Sequence, residues 1–272
     1  MKNAATVYVF DVDGVLCEIG SFTMDERIIG MIAGLLERGV YCAINTGRGY
    51  DRVDAEFVEP LMARFPEISL ERLAITTEMG GEITTFKGRG SVSASTKYAM
   101  STDRLQIFYD VWEAHKAELF SMYIYASKTS MASTVWDHSY DESVYAPQKA
   151  QFEQWLREAY ADTDVVVTGT TESTDVYAAH AGKNAGAANI IEWLGRVSDV
   201  THDSAVCFGD SHNDYEMARH FADAGFETTF VYTGEKLVVD ELHTEVKVID
   251  TAASYTDGTV EYLQGLVSTS EY

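Results

Sequence analysis

Short apolar runs alternate along this chain with stretches of helical spacing. The segment 7–16 opens as a buried strand, Val7-Tyr8-Val9-Phe10, and stops on two carboxylates, Asp11 and Asp13, before Gly14. Ile28, Ile29, Met31, Ile32, Leu35 and Leu36 then give residues 25–38 the periodicity of an amphipathic helix, with Gly39 as its stop. A short strand over 40–44 ends in Asn45-Thr46-Gly47-Arg48-Gly49, and a second helical pattern covers 51–65, with Pro60 as a point of kinking. A further strand over 73–76 closes on Gly80-Gly81. Strands alternating with helices in this way predict an α/β fold, a doubly wound, Rossmann-like parallel sheet.

From residue 82 the pattern changes. Strands at 82–86 and 91–97 flank Lys87-Gly88-Arg89-Gly90 and read as a hairpin. A helix over 102–119, strands at 120–125 and 131–136, a helix over 148–160 after Pro147, and strands at 164–167 and 176–179 follow. The α/β rhythm returns with a helix from Lys183 and the apolar strand 205–208, which runs into Gly209-Asp210-Ser211-His212-Asn213-Asp214. Strands at 230–232 and 246–249 and a helix over 258–267 close the pattern. The expected organisation is a core of 1–80 and 181–272 interrupted by an α+β insert over 81–180.

Composition narrows the function classes. The chain carries 43 acidic residues against 20 Lys and Arg, a net charge of −23, so its field repels nucleic acid and anionic membrane, and both are set aside as partners. No apolar stretch reaches the roughly 20 residues needed to span a bilayer, which leads to the expectation of a cytoplasmic protein. A salt-rich cytoplasm would also account for such an acidic surface. Cys17, Cys42 and Cys207 have neither metal-binding spacing nor the density of a disulfide scaffold and are expected as reduced, buried thiols. A phosphate-bearing substrate would require this acidic chain to build a local positive field from a metal ion and one or two cations.

The chemistry gathers at strand ends. Residues i and i+2 of a strand share a face, but Gly14 permits a bend that turns Asp13 away from Asp11. One acid can then attack or bind metal while the other handles protons. Thr46, the segment before Lys183, and Asp210 with Asp214 also sit at strand ends, where open α/β sheets bind their ligands. Together they supply the hydroxyl, ammonium and carboxylates needed to hold a phosphoryl group and Mg²⁺. Taken singly, each is equally a turn residue or a helix cap.

In this order the segments resemble the four motifs of the haloacid dehalogenase superfamily phosphatases. Asp11-Val12-Asp13-Gly14-Val15-Leu16 resembles the first, Ala43-Ile44-Asn45-Thr46-Gly47-Arg48 the second, Lys183 the third, and Gly209-Asp210-Ser211-His212-Asn213-Asp214 the fourth. The resemblance implies that Asp11 attacks phosphorus to form an aspartyl-phosphate and that Asp13 protonates the leaving oxygen and then activates water. It implies that Thr46, Gly47, Lys183 and Asn213 bind the phosphorylated substrate. Mg²⁺ would be held by Asp11, the Asp13 carbonyl and Asp210, with Asp214 acting through water or by holding Lys183. Ser211 and Asn213 would orient the fourth loop, and Arg48 would meet substrate or a nearby carboxylate.

Because the interval from Thr46 to Lys183 is the long one, the insert resembles the C2-type cap of Cof-like phosphatases, sugar-phosphate phosphatases and phosphomannomutases. Glu78-Met79-Gly80-Gly81 departs from that group, which commonly has Asn before the glycine leading into the cap. The implied substrate is a small phosphorylated metabolite, with sugar phosphates the leading class. A phosphomannomutase-like phosphomutase and a non-catalytic phosphometabolite-binding protein are the alternatives. Within the insert, Lys87, Arg89, Lys97 and Lys128 are candidates for a second anionic group and His138 and His180 for ligands, against the commoner reading of each as structural or solvated. Phe120, Tyr123 and Tyr125 are expected in the core or on a sheet face.

Overall fold

The structure, a computed structural model, describes residues 5–21, 23–197, 202–236 and 244–269. Two compact units emerge, Met1–Ala94 with Gly182–Tyr272, and Ser95–Ala181. The chain begins with β1 (Ala5–Phe10), α1 (Glu26–Glu37), β2 (Tyr41–Asn45), α2 (Tyr50–Val53), α3 (Glu59–Arg64), β3 (Leu73–Thr77), β4 (Glu82–Lys87) and β5 (Gly90–Ser95). The second unit contains α4 (Thr102–His115), β6 (Met122–Ile124), β7 (Ala132–Trp136), α5 (Glu142–Ala159), β8 (Val165–Gly169) and β9 (Ser173–Ala178). The first unit then resumes with α6 (Lys183–Val197), β10 (His202–Gly209), α7 (His212–Asp223), β11 (Glu227–Tyr232), β12 (Val246–Asp250) and α8 (Tyr255–Thr269).

The first unit is built on an eight-stranded sheet of order β12-β11-β10-β1-β2-β3-β4-β5. Strands β12 through β3 are parallel, and β4 is antiparallel to β3. The parallel strands are apolar on both faces because helices cover both. Phe10, Cys42, Ile44 and Phe208 pack with residues of α1, the 50–64 helical stretch and α8, whereas Val7, Val9, Ala43 and Cys207 pack with α6 and α7. The chain winds from β1 to β2 and β3 on one side and from β10 to β11 and β12 on the other. The carboxyl ends of β1, β2 and β10 therefore meet at the switch in strand order, where a crevice forms.

The hairpin expected to open the insert instead carries the core sheet two strands further, and the second compact unit begins at Ser95. Alternation alone could not distinguish these outcomes, since a hairpin has the same period at a sheet edge as in a separate layer. The second unit is a four-stranded antiparallel sheet, β6-β7-β9-β8, with α4 and α5 packed on it through Phe108, Phe152 and Leu156. Helix α5 starts before Pro147, contrary to expectation, and contains it. In its first turn Tyr145 stacks on Trp136 with ring centroids 5.0 Å apart.

Tyr123, 51% exposed, lies on an open face of β6, one of the two placements expected, whereas Phe120, 53% exposed and ahead of the strand, joins neither core nor sheet face. Lys128 pairs with Asp175 at 3.2 Å, and His138 with Glu172 at 2.9 Å. Arg89 donates to the Met62 carbonyl. The three cysteines are free and buried. Among the described residues, no helix is long and apolar enough to cross a membrane.

Candidate active site

Asp11 follows the last residue of β1, and its N–H still donates to the Phe208 carbonyl of β10 at 3.1 Å. The chain then turns tightly, with the N–H groups of Val15, Leu16 and Cys17 all directed to the Val12 carbonyl. Gly14 takes a φ of +71°, and a Cβ there would lie 2.5 Å from Asp210 Oδ2. Glycine thus serves both the left-handed turn and the close approach of the acid that ends β10.

Lys183, the first residue of α6, is buried among three acceptors. Its Nζ donates to Asp11 Oδ1 and, at 2.7 Å, to the Asn45 carbonyl, and it pairs with Asp214 Oδ1 at 2.8 Å. Asn45 at the end of β2 seats the helix in return. Its Nδ2 donates to the Lys183 carbonyl at 2.8 Å, and its Oδ1 accepts from the Thr76 hydroxyl at 2.9 Å. Asp214 lies in the first turn of α7, where Oδ2 accepts the Ser211 N–H at 3.2 Å and the Ser211 hydroxyl at 2.5 Å. This reciprocal cap fixes the start of the helix and leaves Oδ1 for the lysine.

One ligand oxygen from each of Asp11, Asp210 and Asp214 falls within 4.8 Å of the other two. Burial, followed by the charge of Asp214, pushes the Asp11 carboxyl well above the usual carboxylate range despite the pull of Lys183. Burial and Asp214 likewise raise Asp210 to about 7. Burial works against the charged form of Lys183, but Asp11 and Asp214 outweigh it and raise the lysine. A cluster of carboxylates facing one ammonium carries unbalanced negative charge. Its all-oxygen donor set fits a hard divalent cation such as Mg²⁺, which would be held by Asp11 and Asp210 with Asp214 close by.

Asp13 is turned to a different partner. Arg48 Nη2 and Nε donate to its Oδ1 at 2.5 Å and Oδ2 at 3.2 Å, a two-pronged grip from a buried guanidinium. The Asp13 side chain is absent from the carboxylate cluster formed by Asp11, Asp210 and Asp214. Thr46 is buried, and its hydroxyl accepts the Arg48 backbone N–H at 3.1 Å, which leaves the hydroxyl proton to donate. Gly47 lies beside Met79, whose Sδ would be 3.3 Å from a Cβ at that position.

Behind this loop, Glu78, Met79 and Gly80 have consecutive positive φ values of 53°, 58° and 84°. Asn and Gly tolerate that region best, so Glu78 and Met79 hold a strained conformation. The turn is secured on both sides. Glu78 N–H donates to the Arg48 carbonyl at 3.0 Å, Met79 N–H to the Thr46 carbonyl at 3.3 Å, and Gly182 N–H to the Met79 carbonyl at 2.7 Å. It thereby joins the loop after β2 to the start of α6.

The structure brings Asp11, Lys183, Asp210 and Asp214 together, with Thr46 and Asp13 on adjoining loops. Asn213 is exposed in the first turn of α7, and its side chain makes no hydrogen bond among the described residues, so it does not orient the loop as Ser211 does. Arg48 meets nearby carboxylates, one of the two partners expected for it, whereas Asn45 contributes more than sequence reasoning assigned it. Asn45 stands in the second motif beside Thr46, and an amide at the end of an apolar strand was the available signal.

Residues 73–224 match the haloacid dehalogenase-like hydrolase family, a span that includes Lys183, Asp210 and Asp214 and begins after Asp11 and Thr46. No protein of curated function matches the chain. Among solved structures, the C-terminal domain of Candida albicans trehalose-6-phosphate phosphatase is similar at a TM-score of 0.68 and 13% identity, over 97% of this chain and 93% of that one. The Aspergillus fumigatus trehalose-6-phosphate phosphatase gives 0.55 and 17%, over 97% and 93%. Sucrose-phosphatase from Synechocystis, solved with sucrose and phosphate, gives 0.53 and 13%, over 98% and 99%. With more than half of its length matched to the family and the family's fold throughout its core, this chain belongs to the haloacid dehalogenase-like hydrolases.

Proposed function

We propose that the protein is a Mg²⁺-dependent phosphomonoester hydrolase that works through an aspartyl-phosphate on Asp11 and acts on a small phosphorylated metabolite, with sugar phosphates as the leading class. The observation that carries this reading is the convergence of Asp11, Lys183, Asp210 and Asp214 at the switch in strand order. The trehalose-6-phosphate and sucrose phosphatases among the structural neighbours favour a sugar phosphate.

In this mechanism a carboxylate oxygen of Asp11 bonds to phosphorus as the bond from phosphorus to the leaving oxygen breaks. Asp13 gives that oxygen its proton. It then takes a proton from the water that attacks phosphorus and frees Asp11. Lys183 neutralises charge on Asp11 and on the transferring group, and Thr46 donates its hydroxyl proton to a phosphoryl oxygen. Asp214 keeps Lys183 in place. Mg²⁺, when bound, supplies positive charge that offsets repulsion between the phosphate and Asp11.

Phosphate release from a panel of sugar phosphates, nucleotides and cofactor phosphates, with Mg²⁺ and with Asp11→Asn as control, tests the proposal. Release by the wild type that the variant loses supports it. Transfer of phosphate from a hexose bisphosphate back to sugar, without release, would favour the mutase, and binding without turnover would favour a non-catalytic protein.

A further inference from the structure

The helical stretch 50–64 contains one irregular turn, Asp54–Val58, which is π-helical. Its cause is local. Pro60 has no N–H to offer the Glu56 carbonyl and its ring would crowd that group, so the turn widens and the Glu59 N–H bonds back to the Asp54 carbonyl instead. Glu56 sits within this turn. Its Oε2 accepts from Arg48 Nη1, and its Oε1 accepts from Arg52 Nε at 2.8 Å. Only 13% of its side chain is exposed.

The other edge of Arg48 is equally occupied. Beyond its fork on Asp13, Nη2 donates to the Ser21 carbonyl at 3.1 Å and lies 3.3 Å from Cys17 Sγ. The guanidinium is thus clamped between two carboxylates, one half-exposed and one largely shielded. A charged group clamped this way keeps a single orientation, whereas a guanidinium with one partner can swing about its long side chain.

We infer that Glu56 is a positioning residue for the hydrolysis, holding Arg48 so that Arg48 holds the Asp13 carboxylate in the orientation for proton transfer. The inference rests on the proposed function, since Asp13 has a proton to deliver only if a phosphate ester is cleaved. Glu56 itself touches neither substrate nor reacting atoms.

The test compares the wild type, Glu56→Ala and Glu56→Gln on p-nitrophenyl phosphate and on unsubstituted phenyl phosphate, with melting temperatures measured alongside. A nitrophenolate leaves with little help from an acid, whereas phenolate is more basic and depends on the proton from Asp13. General acid catalysis is worth about 10²–10⁴-fold, so misplacing Asp13 is expected to lower kcat/KM of Glu56→Ala, which reports transfer to Asp11, about ten-fold more on phenyl phosphate than on the nitrophenyl ester. Glu56→Gln, which retains shape and an acceptor oxygen, is expected to recover part of that difference. Equal losses of kcat/KM on both esters in an active protein, following the melting temperature, would overturn the inference alone. A wild type that cleaves neither these esters nor any member of the metabolite panel would overturn the proposed function and the inference with it.

Discussion

Lys183 Nζ lies 2.8 Å from Asp214 Oδ1 while it also donates to Asp11, so one ammonium holds together acids delivered by the end of β1 and by the first turn of α7. Lys183→Met keeps the length of the side chain and leaves those buried carboxylates facing each other without a counter-charge. Breaking a buried ion pair in this way costs about 3–5 kcal/mol. Urea unfolding at pH 8 is expected to register a loss of that order, together with loss of phosphatase activity. An unchanged unfolding midpoint would remove Lys183 from the account.

The raised carboxyls fix the sign of a pH effect. In the metal-free fold Asp210 titrates near pH 7 and Asp11 well above its ordinary range, whereas both are ordinary carboxyls in the unfolded chain. Between about pH 4 and 7 the folded state therefore holds more protons than the unfolded one, and stability falls as pH rises through that window. Mg²⁺ competes with those protons. Its addition should raise the melting temperature more at pH 8 than at pH 5.5, and equal shifts at the two pH values would contradict the cluster as the cation site.

Gly80 has a φ of +84°, and a Cβ there would lie 2.6 Å from the Gly186 backbone nitrogen. Gly80→Ala combines a left-handed alanine, costing about 1–2 kcal/mol, with overpacking of about 1–3 kcal/mol. Chemical denaturation should show a combined loss of about 2–5 kcal/mol. A loss below about 0.5 kcal/mol, the scale of neutral surface changes, would mean that the turn does not seat α6.

Much of the site was legible because its parts lie at the ends of apolar runs. A strand buried on both faces reads as a short apolar block, so Asp11, Thr46 and Asp210 could be assigned to one edge of a parallel sheet from pattern alone. Lys183 was legible by its order along the chain and its position at the start of a helix. The bend that aims Asp13 away from Asp11 was legible in Gly14, but which carboxylate Arg48 would grip was not, because that depends on how the turn over 12–17 meets the loop after β2. Glu56 was hidden further still, since regular helical spacing gives no sign that Pro60 widens the preceding turn. The hairpin of β4 and β5 shows the same limit at the level of topology, where edge pairing depends on contacts distant in sequence.

Arg48→Lys tests the fork itself. A lysine keeps the charge but cannot grip both oxygens of Asp13 while also reaching Glu56. With general acid catalysis worth about 10²–10⁴-fold, kcat on phenyl phosphate should fall at least ten-fold with a smaller change in KM. Full retention of kcat would show that Asp13 needs no such hold.

The central claim is that Asp11 is the nucleophile. Acid quenching of the protein during turnover of a phosphate ester with Mg²⁺, followed by borohydride reduction and peptide mass spectrometry, reads it directly, since reduction converts an aspartyl-phosphate to homoserine. The expected result is homoserine at position 11 in the wild type, and neither homoserine nor phosphate release in Asp11→Asn. Sustained phosphate release by Asp11→Asn, or homoserine at another aspartate, would contradict the account.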